Sequence, residues 1–229
     1  MEFLKHKIYQ YHEIADMVAQ DMIDHSHSVI AITGTSSVGK STFSEMIMNF
    51  LTQYGFSAQI ISADNYLKKE YQAGTNFWNQ FGSTYLKPEY FDWSQLNHDI
   101  KHLRASHSID KECYIRGVGW GVQKHFDSTE FYIIEGLFLD SLHASEYMVY
   151  DALISLTAED SLIRRLRIER DNYYRKTSKT FIRTEEETLQ EIENTLLAGK
   201  TYSVFPNWTP HLFLHAKGSY NATLYIKNI

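Results

Sequence analysis

The sequence predicts an α/β fold in which a mostly parallel, five-stranded sheet lies between two layers of helices. Short apolar runs alternate along the chain with segments of helical character. These runs are continuously apolar, which is typical of parallel strands that are covered on both faces. The 229 residues, 43% of them hydrophobic, suffice for one sizeable core. We therefore predict a single domain over residues 1–229.

The first half of the chain contains two predicted strands and three predicted helices. The strands are the short apolar runs Val29–Ile32 and Ser57–Ser62. In the first helix, apolar residues recur on one face. Asp92 or Ser94 is expected to cap the third helix. The three helices are predicted over Phe3–Asp24, Ser41–Leu51 and Phe91–Leu103.

The second half contains two predicted helices and three further strands. The helix Ala158–Asp171 is amphipathic and rich in arginine. The helix Arg183–Leu197 has glutamates in its first turn, where the helix dipole favours negative charge. Between the helices, Asn172–Arg183 is the most basic and most loop-like interval. The strands are predicted over Ser128–Glu135, Ala152–Leu156 and His211–His215.

The overall composition excludes several classes of protein. A formal net charge of −6 argues against broad binding of nucleic acid, which requires a basic surface. The single cysteine, Cys113, suits a reducing compartment. No basic-then-apolar signal pattern is present, and no run approaches the roughly 20 apolar residues of a membrane span. We expect a cytoplasmic protein that binds neither nucleic acid nor membranes.

A glycine-flanked turn follows the strand Val29–Ile32 and matches the pattern G-x-x-x-x-G-K-[ST]. In such a turn, backbone N–H groups and the N-terminus of the next helix converge on phosphate oxygens. Lys40 is expected to reach the β- and γ-phosphates, and the Ser41 hydroxyl to ligate Mg²⁺. A chance match is the alternative, but the strand–turn–helix context favours a phosphate-binding loop. The predicted nucleotide-binding residues are Gly34, Thr35, Ser36, Ser37, Val38, Gly39, Lys40, Ser41 and Thr42.

Acidic residues near the strand ends are candidates for metal binding and proton transfer. Ligands of open α/β sheets bind at the carboxyl ends of the strands. Glu135 ends the run FYIIE there and is expected to act with Ser41 at the metal. Asp151 precedes its strand, so a role in strand entry is the favoured interpretation. Asp64 is placed to take a proton from an acceptor hydroxyl, although its spacing fits a cap or turn aspartate equally well.

The arginine-rich helix is a candidate anion-binding element. Phosphoryl transfer depends on cations around the transferring group. Arg167 and Arg170 are three residues apart, so they share one face of the helix. For Arg164 and Arg165 we favour a solvated basic surface. Because the chain is acidic overall, the cluster, which Arg175 extends, is interpreted as an anion site.

The phosphate loop, Asp64, Glu135 and the arginine-rich helix follow one another along the chain as the corresponding motifs do in the uridine kinase and phosphoribulokinase-like P-loop kinases, which this sequence resembles. Relatives of that family include nicotinamide riboside kinases and pantothenate kinases. The resemblance extends loosely over Ser28–Asn221. It implies a P-loop NTPase fold with a small helical lid over about residues 164–183, and ATP and Mg²⁺ as cofactors. The stretch SADNYL resembles the segment of the catalytic base, carried by Asp64. The stretch YIIEGLFL resembles the segment that places Glu135 near metal and substrate.

Two further stretches carry the resemblance into the C-terminal half. RLRIERDNYYR resembles the lid pattern R-x-x-R-D-x-x-x-R, and KGSYN is similar to the stretch beside the adenine. The matching residues are Arg167, Arg170, Asp171 and Arg175 in the first stretch, and Gly218 and Asn221 in the second. The resemblance implies that Arg170 acts in catalysis with Lys40, Asp64 and Glu135. It also implies nucleotide contacts for Arg167, Arg175 and Asn221.

The acceptor half departs from the uridine kinases. Leu86 stands where they carry an aspartate that holds the ribose hydroxyls, and leucine accepts no hydrogen bond. Thr177 stands where the lid of those kinases carries a second basic residue. For Trp120 the alternative is core packing, and for His125 an ordinary surface position. The residues expected at the acceptor site are Tyr66, Tyr114, Arg116, Trp120 and His125, together with Asp64 and Glu135.

These observations predict an ATP-dependent kinase that phosphorylates a hydroxyl of a small molecule, with a nucleoside or sugar-like acceptor. Two alternatives are a nucleotide-binding regulator without kinase activity and a kinase of another metabolite, such as a sugar or a pantothenate-like alcohol. A GTPase is disfavoured because the sequence lacks the N-K-x-D pattern. The identity of the acceptor, the choice between monomer and homo-oligomer, and the structure after Asn221 are left open.

Overall fold

The computed structural model describes residues 8–9, 11–81, 86–115, 118–147, 150–178, 183–203, 208–216 and 220–227. The strands are β1 (Ile8–Tyr9), β2 (Val29–Gly34), β3 (Ala58–Ser62), β4 (Ile109–Ile115), β5 (Gly119–Phe126), β6 (Phe131–Glu135), β7 (Ala152–Ala158), β8 (Trp208–Ala216) and β9 (Tyr220–Lys227). The helices are α1 (Tyr11–Asp24), α2 (Lys40–Gln53), α3 (Asn76–Phe81), α4 (Trp93–Arg104), α5 (Leu142–Ser145), α6 (Asp160–Thr177) and α7 (Glu185–Tyr202).

The main sheet has seven strands within the described residues, in the order β1–β8–β9–β7–β2–β6–β3. Its four strands β7, β2, β6 and β3 are parallel to one another. Strand β9 is antiparallel to both β7 and β8, and β1 is parallel to β8. The predicted α/β/α P-loop NTPase fold is confirmed, but the predicted count of five strands is too low. The two additional strands are Ile8–Tyr9, for which a helix was expected, and the tail strand Tyr220–Lys227.

Each face of the sheet has its own hydrophobic core. Because side chains alternate along a strand, Ile30 and Ile32 of β2 face one core, while Val29 and Ala31 face the other. Helices α1 and α2 cover the first core, and α4 covers the second. The strand is therefore apolar throughout, which explains the continuous apolar run in the sequence. No helix in the described part of the chain has the length and apolar character of a membrane span.

Local signals in the sequence fix several element boundaries. The carboxylate of Asp92 accepts a hydrogen bond from the backbone N–H of Gln95 at 2.9 Å, which confirms Asp92 as the N-cap of α4. Asp151 accepts from the backbone N–H of Val29 at 2.9 Å, so it ties the entries of β7 and β2 together. One expectation was wrong, because helix α6 continues into the interval predicted as a loop. In addition, β4 and β5 form an antiparallel hairpin for which no prediction was made.

Close backbone contacts hold the carboxyl ends of the parallel strands together. Gly34 has φ +139°, and a Cβ atom there would lie 2.3 Å from the carbonyl oxygen of Leu156. A Cβ atom on Gly136 would lie 2.5 Å from the Cβ atom of Ala63. The segments after β3 and β6 therefore touch, and they can do so only where a glycine is present.

We expect the contact between Gly136 and Ala63 to appear as an energetic coupling. Gly136→Ala should lower the free energy of unfolding by about 1–3 kcal/mol, because the added methyl group overpacks the contact. Ala63→Gly removes the facing methyl group and should cost about 0.5–1 kcal/mol through backbone entropy. The measurement is urea unfolding of the wild type, both single variants and the double variant.

In the double variant, Ala63→Gly makes room for the methyl group at residue 136. Its loss of stability should therefore be smaller than the sum of the two single losses by about 0.5 kcal/mol or more. Strictly additive losses would show that the two segments do not touch.

Candidate active site

The phosphate loop is built by left-handed backbone conformations between β2 and α2. Ser37 has φ +70° and Gly39 has φ +95°. Gly39 precedes α2, and no side chain caps the first turn of that helix. The N–H groups of this turn are consequently directed at the loop, where they favour an anion.

Lys40 lies across this loop. Its ammonium group donates hydrogen bonds to the carbonyl oxygens of Gly34 at 2.9 Å and Thr35 at 3.0 Å. The side chain is 9% exposed, so its charge acts in a largely buried environment. A buried ammonium beside the N-terminus of a helix creates a local positive potential in a chain that is acidic overall.

Several side chains with oxygen atoms lie near the loop, at the ends of β3 and β6. The Ser41 hydroxyl donates to Oε2 of Glu135 at 3.3 Å. Burial raises the pKa of Glu135, and the nearby Asp64 carboxylate raises it further, while Lys40 and hydrogen bonds from Ser62 and Ser41 act in the opposite direction. Asp64 and Glu135 thus interact electrostatically within one site. Hydroxyl and carboxylate oxygens are the ligands that Mg²⁺ prefers.

These groups open into a cavity of about 660 Å³ at the carboxyl edge of the sheet. The loop, α6 and α7 form one side of the cavity, and the segments after β3 and β6 and the β4–β5 hairpin form the other. Among the described residues, those with chemically active side chains in its wall are Ser36, Ser37, Lys40, Ser41, Thr42, Asp64, Tyr114, Trp120, Glu135, Arg167, Arg170, Tyr174, Arg183, Glu191, Asn194 and Thr195.

A buried carboxylate organises the arginines on α6. Asp171 is fully buried and accepts hydrogen bonds from Arg167 at 3.4 Å, Arg170 at 3.2 Å and Arg183 at 3.3 Å. We call Arg167, Arg170 and Arg183 the arginine cluster. Burial alone would raise the pKa of Asp171, but the three guanidinium groups outweigh it and hold that pKa below its usual value.

Helix α7 supplies a second acid and connects the arginine cluster to the loop. Glu191 is buried and forms ion pairs with Arg167 and Arg183. Arg167 also donates to the hydroxyl of Ser36 in the loop. Helix α7 passes so close to the loop that a Cβ atom on Gly199 would lie 2.9 Å from Cγ2 of Thr35. The arginine cluster is therefore fixed beside the phosphate loop.

The structure brings most of the predicted catalytic and nucleotide-binding residues into one wall. Lys40, Ser41, Asp64, Glu135, Tyr114 and Trp120 all line the cavity, as do Arg167 and Arg170. Within the loop, Val38 is instead buried in the core beneath it. Leu86 also lines the cavity.

Three residues expected at the site lie elsewhere. Tyr66 is buried in the core, where its hydroxyl donates to Asp99 at 2.8 Å. Arg175 donates to the carbonyl oxygen of Thr184 at 3.1 Å, so it stabilises the start of α7 and does not line the cavity. His125 is exposed on the hairpin and lies 2.8 Å from Asp110.

Three other predictions concern Arg116, Gly218 and Asn221, whose side chains the structure does not describe. Arg116 and Gly218 lie outside the described residues. Asn221 is in β9 and is paired with Thr157 of β7. The predicted contact of Asn221 with adenine stays a prediction.

Sequence reasoning missed the contribution of α7. Glu191, Asn194, Thr195 and Ala198 line the cavity from this helix. Their spacing of three, four and seven residues places them on one helical face. The sequence did contain a signal for this: Glu191, Asn194 and Thr195 are polar residues on the helix face that packs against the rest of the protein, which is unusual unless they line a site. Arg183 was also missed, because it follows α6 in the chain and belongs to no periodic pattern.

We expect Asp171 to stabilise the fold in a pH-dependent manner. Asp171→Asn should lower the free energy of unfolding at pH 7 by about 3 kcal/mol, because it leaves buried guanidinium groups without their carboxylate. Since the folded-state pKa is lowered, this stability is present above the unfolded-state pKa of about 3.9 and is lost as the pH falls through the folded value. Chemical denaturation between pH 7 and pH 3 measures the effect.

The difference between wild type and Asp171→Asn should therefore shrink as the pH falls below about 4, where the unfolded wild-type chain binds a proton that the folded carboxylate still excludes. Glu193→Gln is the matched control, because Glu193 forms an exposed ion pair with Arg164. This control should change stability by at most about 1 kcal/mol. A difference for Asp171→Asn that is small, or constant with pH, would contradict the role given to Asp171.

Comparison with known proteins agrees with this geometry. Residues 29–189 match the sequence model of the phosphoribulokinase/uridine kinase family. A search of curated proteins gives no match. Among solved structures, the chain is similar to a possible uridine kinase from Bacillus stearothermophilus, with 20% identity and a TM-score of 0.50 over 76% of this chain and 96% of that one.

It is also similar to a candidate fructose transport system kinase from Silicibacter sp. TM1040, with 15% identity and a TM-score of 0.61 over 81% of this chain and 92% of that one. At such identities these structures support the fold alone. The family match has a wider meaning, because residues 29–189 are more than half of the 229-residue chain. The chain belongs to the phosphoribulokinase/uridine kinase family of P-loop kinases.

Proposed function

We propose that this protein is an ATP-dependent kinase that transfers the γ-phosphoryl group of ATP to a hydroxyl group of a small molecule. One observation carries the proposal. Cationic groups for phosphates, oxygen ligands for a metal and a separate carboxylate line the same cavity: Lys40, Ser41, Asp64, Glu135 and Arg170. Phosphoryl transfer requires positioning and charge stabilisation more than covalent catalysis, and this wall has the groups for both.

The nucleotide phosphates are proposed to bind at the loop and the first turn of α2. Lys40 would exchange its hydrogen bonds to loop carbonyl groups for bonds to phosphate oxygens. Arg170 and the rest of the arginine cluster, which lies beside the loop, would stabilise the negative charge of the transferring group. Because Arg167 is bonded to Ser36 of the loop, the cluster and the loop would act as one unit.

The residues present also fit Mg²⁺. Mg²⁺ takes oxygen ligands in octahedral geometry and is usually held by one or two protein groups together with substrate phosphates and water. The Ser41 hydroxyl and the Glu135 carboxylate, 3.3 Å apart at the mouth of the loop, are such a pair. When bound, Mg²⁺ would neutralise charge on the β- and γ-phosphate oxygens.

Asp64 is proposed as the general base. It lies in the turn after β3, on the side of the cavity away from the arginine cluster. Asp64 would take the proton of the acceptor hydroxyl as the hydroxyl oxygen bonds to the γ-phosphorus. The bond between that phosphorus and the β,γ-bridging oxygen breaks in the same step, and ADP leaves. The cellular site of this reaction is proposed to be the cytoplasm, since Cys113 is a free thiol.

We expect Asp64→Asn to separate binding from catalysis. The amide cannot accept the hydroxyl proton, so turnover should fall by about 10²- to 10⁴-fold. Nucleotide affinity should be nearly unchanged, because Asp64 is not part of the loop. The assay is Mg-ATP-dependent ADP release with a panel of alcohols, including uridine, cytidine, nicotinamide riboside, pantothenate, free and phosphorylated sugars, and aryl alcohols, with a fluorescent ADP analogue as the binding probe.

The matched control is Asp24→Asn, since Asp24 is an exposed aspartate at the end of α1. It should retain wild-type turnover. Full turnover in Asp64→Asn would show that another group is the base. Binding of nucleotide with no stimulation by any acceptor would instead favour a regulatory protein without kinase activity.

A further inference from the structure

We propose that the acceptor is an uncharged alcohol with an apolar or aromatic body, and not a polyhydroxylated sugar or a nucleoside. This inference rests on the proposed kinase function and names the substrate class of the same site. It follows from the chemistry of the cavity wall beyond Asp64, on the side away from the phosphate loop.

That wall, which we call the acceptor wall, comes from four separate segments. They are the turn after β3, the segment before α4, the β4–β5 hairpin and the segment after β6. Each segment contributes an apolar or aromatic side chain to the cavity: Leu67, Leu86, Phe91, Tyr114, Trp120 and Phe138. Four chain segments that present the same type of surface form a continuous apolar slot next to the proposed base.

Among the described residues of this wall, hydrogen-bonding side chains are few. Apart from Asp64 and Glu135, its described residues offer the hydroxyl of Tyr114 and the indole N–H of Trp120. A sugar or a nucleoside carries several hydroxyl groups, and each one that is buried without a partner weakens binding. One reacting hydroxyl beside Asp64 on an apolar body leaves no such group unpaired.

Charge points in the same direction. No lysine or arginine is among the described residues of the acceptor wall. Lys111 of the hairpin does not line the cavity. Its ammonium nitrogen lies 3.7 Å from the ring centroid of Tyr66 and 3.4 Å from Oδ2 of Asp99. Among these described residues a phosphorylated or carboxylate acceptor would therefore find no counter-charge, while the two acidic residues Asp64 and Glu135 would repel it.

The aromatic part of the wall is held in place by its surroundings. Phe138 has φ +62°, a left-handed conformation that is unfavourable for a bulky residue. Its ring packs edge-on against Phe91 at 6.0 Å and Tyr202 at 5.6 Å between centroids. On the hairpin, the rings of Tyr114 and Trp120 are 5.5 Å apart. Backbone strain that keeps an aromatic ring in a cavity wall is typical of functional positions.

The test compares two sets of alcohols in the Mg-ATP-dependent ADP-release assay. The apolar set is 3-phenylpropan-1-ol, 2-naphthylmethanol and indole-3-ethanol, and the polar set is glycerol, ribose and uridine. We expect at least one apolar alcohol to stimulate ADP release about tenfold or more over the reaction without acceptor. The polar alcohols should stimulate it less than twofold.

Leu86→Asp places a carboxylate in the acceptor wall. It should lower kcat/KM for the active apolar alcohol about tenfold or more, while binding of the fluorescent ADP analogue is unchanged. The matched control is Leu142→Asp, because Leu142 is 60% exposed and does not line the cavity. If Leu86→Asp does not fold, Leu86→Thr, which adds a single hydroxyl, should lower kcat/KM in the same direction.

The outcomes separate the two proposals. Stimulation by ribose, glycerol or uridine, and by none of the apolar alcohols, would overturn the acceptor class and leave the kinase function standing. Equal loss of kcat/KM in Leu86→Asp and Leu142→Asp would also overturn it. If the protein binds nucleotide and no alcohol of either set stimulates release, the acceptor class is overturned, and the broader panel described above then decides the kinase function.

Discussion

The contact between β2 and β7 at Gly34 is the constraint on which the site depends. The carbonyl oxygen of Leu156 occupies the space where a side chain would begin at residue 34. The chain consequently leaves β2 in a conformation that only glycine adopts easily, and it enters the loop toward α2. The position of Lys40, and with it the direction of the helix N-terminus, follows from this contact. A second contact of this kind, at Gly136, brings the ends of β6 and β3 together.

The arginine cluster shows how several cations can be held close together beside α6 and α7 without destabilising these helices. Three guanidinium groups repel one another, but the carboxylates of Asp171 and Glu191 lie between them. Three positive and two negative charges leave one net positive charge on this group of side chains, and Lys40 of the loop adds another. Glu191 holds two of the guanidinium groups that a phosphate would need, so we expect nucleotide binding to compete with these ion pairs. The same ion pairs keep the arginines in place before the nucleotide arrives.

The sequence predicted the parts of the site whose position follows from local pattern. The loop residues from Gly34 to Ser41 and the strand end at Glu135 belong to a continuous strand–turn–helix order, so their location could be inferred without tertiary information. The hairpin was missed because each of its strands contains three consecutive charged or polar residues, at 110–112 and 123–125, so neither strand has a continuous apolar run or a regular alternation. Tyr66 was misplaced because a residue in a short turn can face either the cavity or the core. Arg175 was expected at the nucleotide but bonds to the start of α7, and Arg183, for which no role was expected, joins the arginine cluster.

The proposed base, Asp64, lies where two different environments meet. Toward the loop, the wall is polar and charged, and toward the hairpin it is apolar and aromatic. An apolar wall lowers the local dielectric response, which strengthens the attraction between the lid cations and a transferring phosphoryl group. An acceptor with an apolar body would complete the wall and exclude water from the γ-phosphate, whereas a strongly hydrated acceptor would bring water to it. The same residues would thus determine which acceptor binds and how far phosphoryl transfer to that acceptor outpaces hydrolysis of ATP.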